Sequence, residues 1–155
     1  MTARIALLVA AISLALSAWS LHEAASARAQ LAARSADPGL QGIGEIMSGV
    51  HLHFAKAYSA AGAKNWPLAD YEVAEVAENV KRAVQAGHLE TNLPDFEAAF
   101  GPLEAACKSR DEVKFATAYR STLSACNQCH QRAGHPYIVV TVPSVPPVSN
   151  QQWAP

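Results

Sequence analysis

The chain has 155 residues, half of them hydrophobic, with a formal net charge of -1 and a sequence pI near 6.6. That is one domain's worth of chain with enough apolar material for a core, which excludes a wholly disordered protein and the basic face that nucleic-acid binding requires. Much of the apolar share is alanine and only 7% of residues are aromatic, so the balance reads as helical.

At the N-terminus, Arg4 precedes an uncharged apolar run from Ile5 to Trp19, and small and polar residues follow as far as Ala27, Arg28 and Ala29. A positive start, a short apolar stretch and an A-x-A site compose a secretory signal over residues 1–29, with cleavage before Gln30. The run is shorter than the roughly 20 apolar residues that a membrane span needs. An uncleaved anchor is the other reading, since apolar character recovers weakly around Ala24 and Ala25. Cleavage removes Arg4, Arg28 and Glu23 and leaves 10 basic and 12 acidic side chains. The expected destination is the bacterial periplasm, where oxidising conditions close an idle Cys-x-x-Cys pair.

Residues 37–142 are expected to form the folded domain. From Leu40 to Ala61 the apolar positions Ile43, Met47, Val50, Phe54, Ala57 and Ala61 recur at 4-3-4-3-4 spacing, one face of a helix that Gly62 ends. Asn65 and Pro67 then suit a cap and a first turn, and a second helix runs through Tyr71, Val73, Val76, Val80 and Val84 to Gly87. Its acidic residues Asp70, Glu72, Glu75 and Glu78 read as a solvated face.

A third helix starts after Asn92 and Pro94, carries Phe96, Phe100 and Leu103, and ends near Lys108, with a kink or a break expected at Gly101-Pro102. The fourth begins at Ser109 or Asp111 and sets Ala116, Tyr119, Leu123, Cys126 and His130 on one stripe before Gly134 and Pro136 stop it. "YIVVTV" (Tyr137 to Val142) is too short for a sheet of its own and is expected along the bundle. Residues 143–155, rich in proline, read as a flexible tail. The expected fold is all-α, an antiparallel up-down-up-down four-helix bundle with an extended C-terminal tail.

Chemistry concentrates in "CNQCH", Cys126 to His130. A thioredoxin-like dithiol calls for a preceding strand and a βαβ context, whereas only helices lie upstream. Zinc calls for two further ligands at partnered spacing, and Cys107 has no neighbouring ligand residue. A plain disulfide gives His130 no purpose. Covalent haem accounts for all three residues. Two thiols at this gap add to the two vinyl groups on one porphyrin edge, and the imidazole that follows is carried under the iron as the proximal ligand. The cofactor expected is therefore one haem c, attached through Cys126 and Cys129 with His130 on the iron, and Asn127 and Gln128 read as spacers.

A helix-borne C-x-x-C-H near the C-terminal end of three preceding helices resembles the class II c-type cytochromes, the cytochrome c prime family and its low-spin relatives. The resemblance rests on Cys126, Cys129 and His130, on the bundle pattern from Leu40 to Ala133, and on Met47 in "GIGEIMSGV". It implies that Met47, on the first bundle helix, is the sixth iron ligand if the iron is low-spin, or that an open distal face binds NO or CO if it is not. Class I cytochromes c differ in placing the motif near the N-terminus and taking a methionine from a later loop, and no methionine follows His130 here.

His51, one turn after Met47 and roughly 40° round the helix, is the alternative distal ligand or a flank of the haem edge. Phe54, Tyr58, Tyr119 and Leu123 share the facing stripes and are expected to wall the haem, a role that ordinary core packing explains equally well. Lys56 and Lys64 are candidates for the propionates, His53 reads as solvated, His88 and His135 as loop residues, and Cys107 as a small buried thiol.

The function expected is single-haem electron transfer with redox partner proteins. Gas binding is one alternative, and a haem-free helical interaction module that uses the acidic helix is another. No nucleophile-base pair or paired carboxylate set is recognisable, so an enzyme is not expected. A homodimer through the first two bundle helices is what the resemblance allows, although the stripe shows no second apolar face.

Overall fold

The computed structural model describes residues 2–35, 42–90 and 93–155. Every regular element among them is helical: α1 (Thr2–Ser35), α2 (Ile43–Gly62), α3 (Trp66–Gln85), α4 (Pro94–Ser109) and α5 (Glu112–Arg132). The expected domain start at residue 37, the helix start at Leu40 and the Asn92 lead-in lie outside the described residues.

The chain divides into two units, Met1–Leu40 and Gln41–Pro155. In the first, α1 is a single helix with Leu14, Leu16, Trp19 and Leu21 exposed. Among the described residues no helix is long and apolar enough to cross a membrane.

In the second unit, the helix ends explain the connections. Each of the four helices closes with a residue in the left-handed region: Lys64 (φ 60°), Gly87 (φ 74°), Arg110 (φ 55°) and Gly134 (φ 81°). Around each, two backbone N–H groups fold back onto the last turn, as Asn65 N–H does onto Ala60 O (2.9 Å) and Asp111 N–H onto Ala106 O (3.2 Å). The paired pattern answers two carbonyls that a helix end would otherwise leave unpaired.

At two corners the next residue also starts the following helix. Asn65 Oδ1 accepts from the Leu68 N–H (3.3 Å), and Asp111 Oδ1 accepts from the Lys114 N–H (3.0 Å). That backbone hydrogen bond is the chief reason the Asp111 carboxyl is held below its ordinary value. Two residues therefore turn the chain from α2 into α3 and from α4 into α5, and these two pairs are the most extensively packed in the unit. The α3–α4 and α2–α5 contacts are smaller.

Of the kink or two shorter helices expected at Gly101-Pro102, the two helices do not form, because α4 runs through Pro102 as one helix. Proline deprives the Ala98 carbonyl of its intrahelical donor. Ala98, Gly101 and Pro102 all lie exposed, so water can answer that carbonyl.

The core joins all four helices. Phe54, Ala57 and Ala61 from α2, Trp66, Ala69, Val73 and Val76 from α3, Phe100 and Leu103 from α4, and Phe115, Tyr119 and Leu123 from α5 belong to one buried cluster. Fully buried Thr122 ties α5 to α4, its hydroxyl lying 3.1 Å from Ala99 O and 3.0 Å from Ala118 O. Among the described residues no buried side-chain nitrogen or oxygen lacks a partner.

The two left-handed residues that are not glycine carry a backbone cost of about 1–2 kcal/mol, against which glycine adds about 0.5–1 kcal/mol of unfolded-state entropy. Lys64→Gly and Arg110→Gly are thus each expected to stabilise the bundle by about 0.5 kcal/mol. Urea titration monitored by far-UV circular dichroism reads the difference, and a lower midpoint for both variants would contradict the assigned corners.

Candidate functional site

The last two turns of α5 carry the site. With about 100° between successive helical residues, Cys126, Cys129 and His130 fall within an arc of about 100° on one side of the helix. All three are half-buried, and the thiols of Cys126 and Cys129 are free. Desolvation, followed by the neighbouring Cys129, pushes the Cys126 thiol up to about 11. A reactive redox dithiol is tuned the other way, towards thiolate at neutral pH. Among the described residues no group of three or more His, Cys, Asp and Glu side chains is gathered as a zinc site built from such side chains would need.

Just past the end of α5 at Arg132 the chain reverses. Gly134 N–H bonds to Gln131 O (3.1 Å), His135 N–H bonds to the carbonyl of His130 itself (2.8 Å), and Ile138 N–H bonds to His135 O (3.0 Å). His135 also meets Tyr137 within this turn, its Nδ1 lying 3.0 Å from the phenol oxygen. The turn sends residues 138–142 back along α5, where two side chains receive them. Asn127 Nδ2 donates to Val140 O (2.9 Å) and its Oδ1 accepts from the Val140 N–H (2.8 Å). His130 Nδ1 lies 2.9 Å from Ile138 O. A carbonyl can only accept, so Nδ1 carries the proton, and in the neutral ring Nε2 is left with its lone pair. Val140 and Val142 pack against the core cluster, as does Trp153 further along.

On α2, Met47 is half-buried between buried Ile46 and half-buried Val50, whereas His51 is exposed. Phe54, Tyr119 and Leu123 are brought together in the core cluster, and Tyr58 packs against it. The Phe54 and Tyr119 rings stack at 4.1 Å, Tyr58 lies 4.8 Å from Tyr119, and the Tyr119 hydroxyl donates to Phe54 O at 3.1 Å. Burial, then the neighbouring Tyr58 and Cys126, raises the Tyr119 phenol far above its ordinary value. The aromatic cluster thus reaches from α2 to the first cysteine.

Glu72, His53 and Asn127 lie elsewhere than the sequence pattern puts them: Glu72 and His53, both read as solvated, meet between α2 and α3, and Asn127, read as a spacer, bonds to Val140. Glu72, on the acidic face read as solvated, is only 2% exposed, with His53 Nδ1 at 2.6 Å and the Lys56 ammonium at 3.6 Å from its carboxylate. Lys56 is thereby engaged between α2 and α3. Lys64 is exposed at the α2–α3 corner. Asn127 is no mere spacer, and its amide was legible only as a polar residue one position after a core cysteine. Two shallow grooves of about 340 and 630 Å³ lie between α4 and α5, and neither is lined by Cys126, Cys129, His130 or Met47.

The three thiols differ in a measurable way. Cys107 is 2% exposed, and its thiol is pushed up to about 12 by burial first and then by Asp70 and Glu104. Brief alkylation of the haem-free folded chain is expected to modify Cys129 first, Cys126 more slowly and Cys107 only after denaturation. Peptide mass mapping reads the order, and early labelling of Cys107 would contradict the assigned core.

Set beside known proteins, the chain matches no family model, no curated protein and no solved structure.

Proposed function

We propose that this chain is an exported single-haem c-type cytochrome that passes electrons rather than turning over a substrate. We read its bundle as the antiparallel up-down-up-down kind expected of class II cytochromes, followed by a C-terminal tail whose Trp153 packs back against the core. The observation that carries the reading is the hydrogen bond from His130 Nδ1 to the Ile138 carbonyl. It leaves Nε2, the nitrogen an iron would take, unprotonated on the side of α5 that also presents two thiols.

The residues fit a covalently held haem. Cys126 and Cys129 are free and half-buried, at the gap that two thioethers on one porphyrin edge require. Burial holds the Cys126 thiol away from thiolate, which suits a permanent anchor better than a cycling redox pair. When bound, haem supplies a one-electron iron couple whose potential follows axial ligation and burial. In this chain His130 is the proximal ligand. Met47 is favoured over His51 on the distal side because it is half-buried and His51 is exposed. Phe54, Tyr58, Tyr119 and Leu123 keep water from the inner side of α5. The export signal at residues 1–29 delivers the chain to the periplasm, where redox partner proteins would meet the attachment helix.

Absorption and EPR spectra of the chain produced with a c-type haem maturation system test the distal assignment. The expected result is low-spin iron in the wild type that becomes high-spin in Met47→Ala and stays low-spin in His51→Ala. High-spin wild-type iron that takes up CO readily would replace electron transfer with gas binding.

A further inference from the structure

Residues 137–142 lie along the bundle with Val140 and Val142 packed against its core, and polar contacts from the C-x-x-C-H helix itself fix where they run. Asn127 stands three positions before His130, about 60° round the helix, so the two side chains leave neighbouring faces of the same turn. Asn127 uses both ends of its amide on one residue, giving Val140 a donor and an acceptor as a neighbouring strand would. In an extended chain, groups two residues apart point the same way. Once Val140 is fixed on Asn127, the Ile138 carbonyl is thus presented to the same helix, where it meets His130 Nδ1 at 2.9 Å. The other end of the segment is fixed as well, because the left-handed Gly134 and the His135 to Ile138 turn dictate where Ile138 starts.

Gln128, the other residue between the cysteines, has no part in this. It is exposed and its amide reaches only the Ser124 hydroxyl at 3.2 Å. The two positions in the gap are therefore unequal, and the difference lies in what they hold.

We propose that Asn127 is a positioning residue for the iron ligand: by pinning Val140 it keeps the Ile138 carbonyl on His130 Nδ1, which fixes the tautomer and plane of the imidazole and sets its electron donation. The inference rests on the reading of His130 as proximal ligand. An imidazole that donates its second N–H is a more basic ligand and favours the ferric state, so loosening the strap raises the potential and frees the ring. Ile138 contributes a main-chain group, so no substitution of its own side chain removes the contact directly. Asn127 is the position through which it can be reached.

The experiment compares wild type, Asn127→Ala, Asn127→Asp and, as a matched control, Gln128→Ala. In the haem-free chain, long-range ¹H–¹⁵N spectra of His130 are expected to give the Nδ1–H tautomer in wild type and Gln128→Ala, and a mixture in Asn127→Ala. In the haem-loaded protein, Nδ1–H exchange is expected to speed up by about tenfold in Asn127→Ala. Its midpoint potential is expected to rise, with Gln128→Ala unchanged. Asn127→Asp, which keeps the acceptor for the Val140 N–H but loses the donor, is expected to fall between them and covers the case in which Asn127→Ala fails to fold. Haem attached normally with an unchanged potential and exchange rate in Asn127→Ala would overturn the positioning role alone. Wild-type chain that takes up no covalent haem would overturn the ligand reading, and this proposal with it, whatever the tautomer.

Discussion

The hydrogen bond between His130 Nδ1 and the carbonyl of Ile138 is the contact on which the site depends. An imidazole at the C-terminal end of a helix is free to rotate and to change tautomer unless something outside the helix holds it. Here the holding group is main chain, delivered by a reversal that is itself built from local rules. Gly134 takes the left-handed conformation, His135 N–H returns to the carbonyl of His130, and eight residues separate the two ends of the contact. His130, the proposed ligand, thus caps the last turn of α5 through its carbonyl and receives the returning chain through its side chain.

The remainder of the bundle supports α5 at a fixed height. Tyr119 sits seven residues before Cys126 and is the hub of the aromatic cluster, stacked on Phe54 and hydrogen-bonded to the α2 backbone. Three residues further along, Thr122 locks α5 to α4. These contacts share the stripe that continues through Cys126 and His130, so a shift of α5 along its axis would break them before it moved the ligands. Rigid placement of this kind suits the proposed electron-transfer role, in which no substrate has to enter and no loop has to open. By contrast, the ion pair of Arg132 with Asp95 at 3.3 Å joins two exposed side chains and adds little.

Local chemistry made the helices legible in the sequence. Asn65 and Pro67, Gly87, Pro94, Asp111 and Gly134 mark ends by conformational rules that tertiary context rarely overturns, and each lies at or next to a helix end in the structure. The residues misread were those whose roles depend on neighbours distant in sequence. Glu72 was assigned to solvent on its charge alone, although it shares the 3-4 spacing of Ala69, Val73, Val76 and Asn79 and is buried with them, compensated by His53 and Lys56 from another helix. At Gly101-Pro102 the lost hydrogen bond suggests a kink or two helices, and the chain keeps one helix because water can replace that bond on an exposed face. Asn127 was passed over because its partner, Val140, lies thirteen residues away across a reversal. For the site, the C-x-x-C-H spacing marked the three residues, and the stripe placed Met47 inward, but the strap and its anchor needed the folded chain.

The central claim is that Cys126, Cys129 and His130 form one haem anchor, and the most direct measurement is the intact mass of the mature chain produced with a c-type haem maturation system. The account predicts a single haem retained after denaturation and extraction, a peptide spanning Cys126 to His130 that carries it, and Cys107 still alkylatable. A chain of unmodified mass with Cys126 and Cys129 both available to alkylation would contradict it.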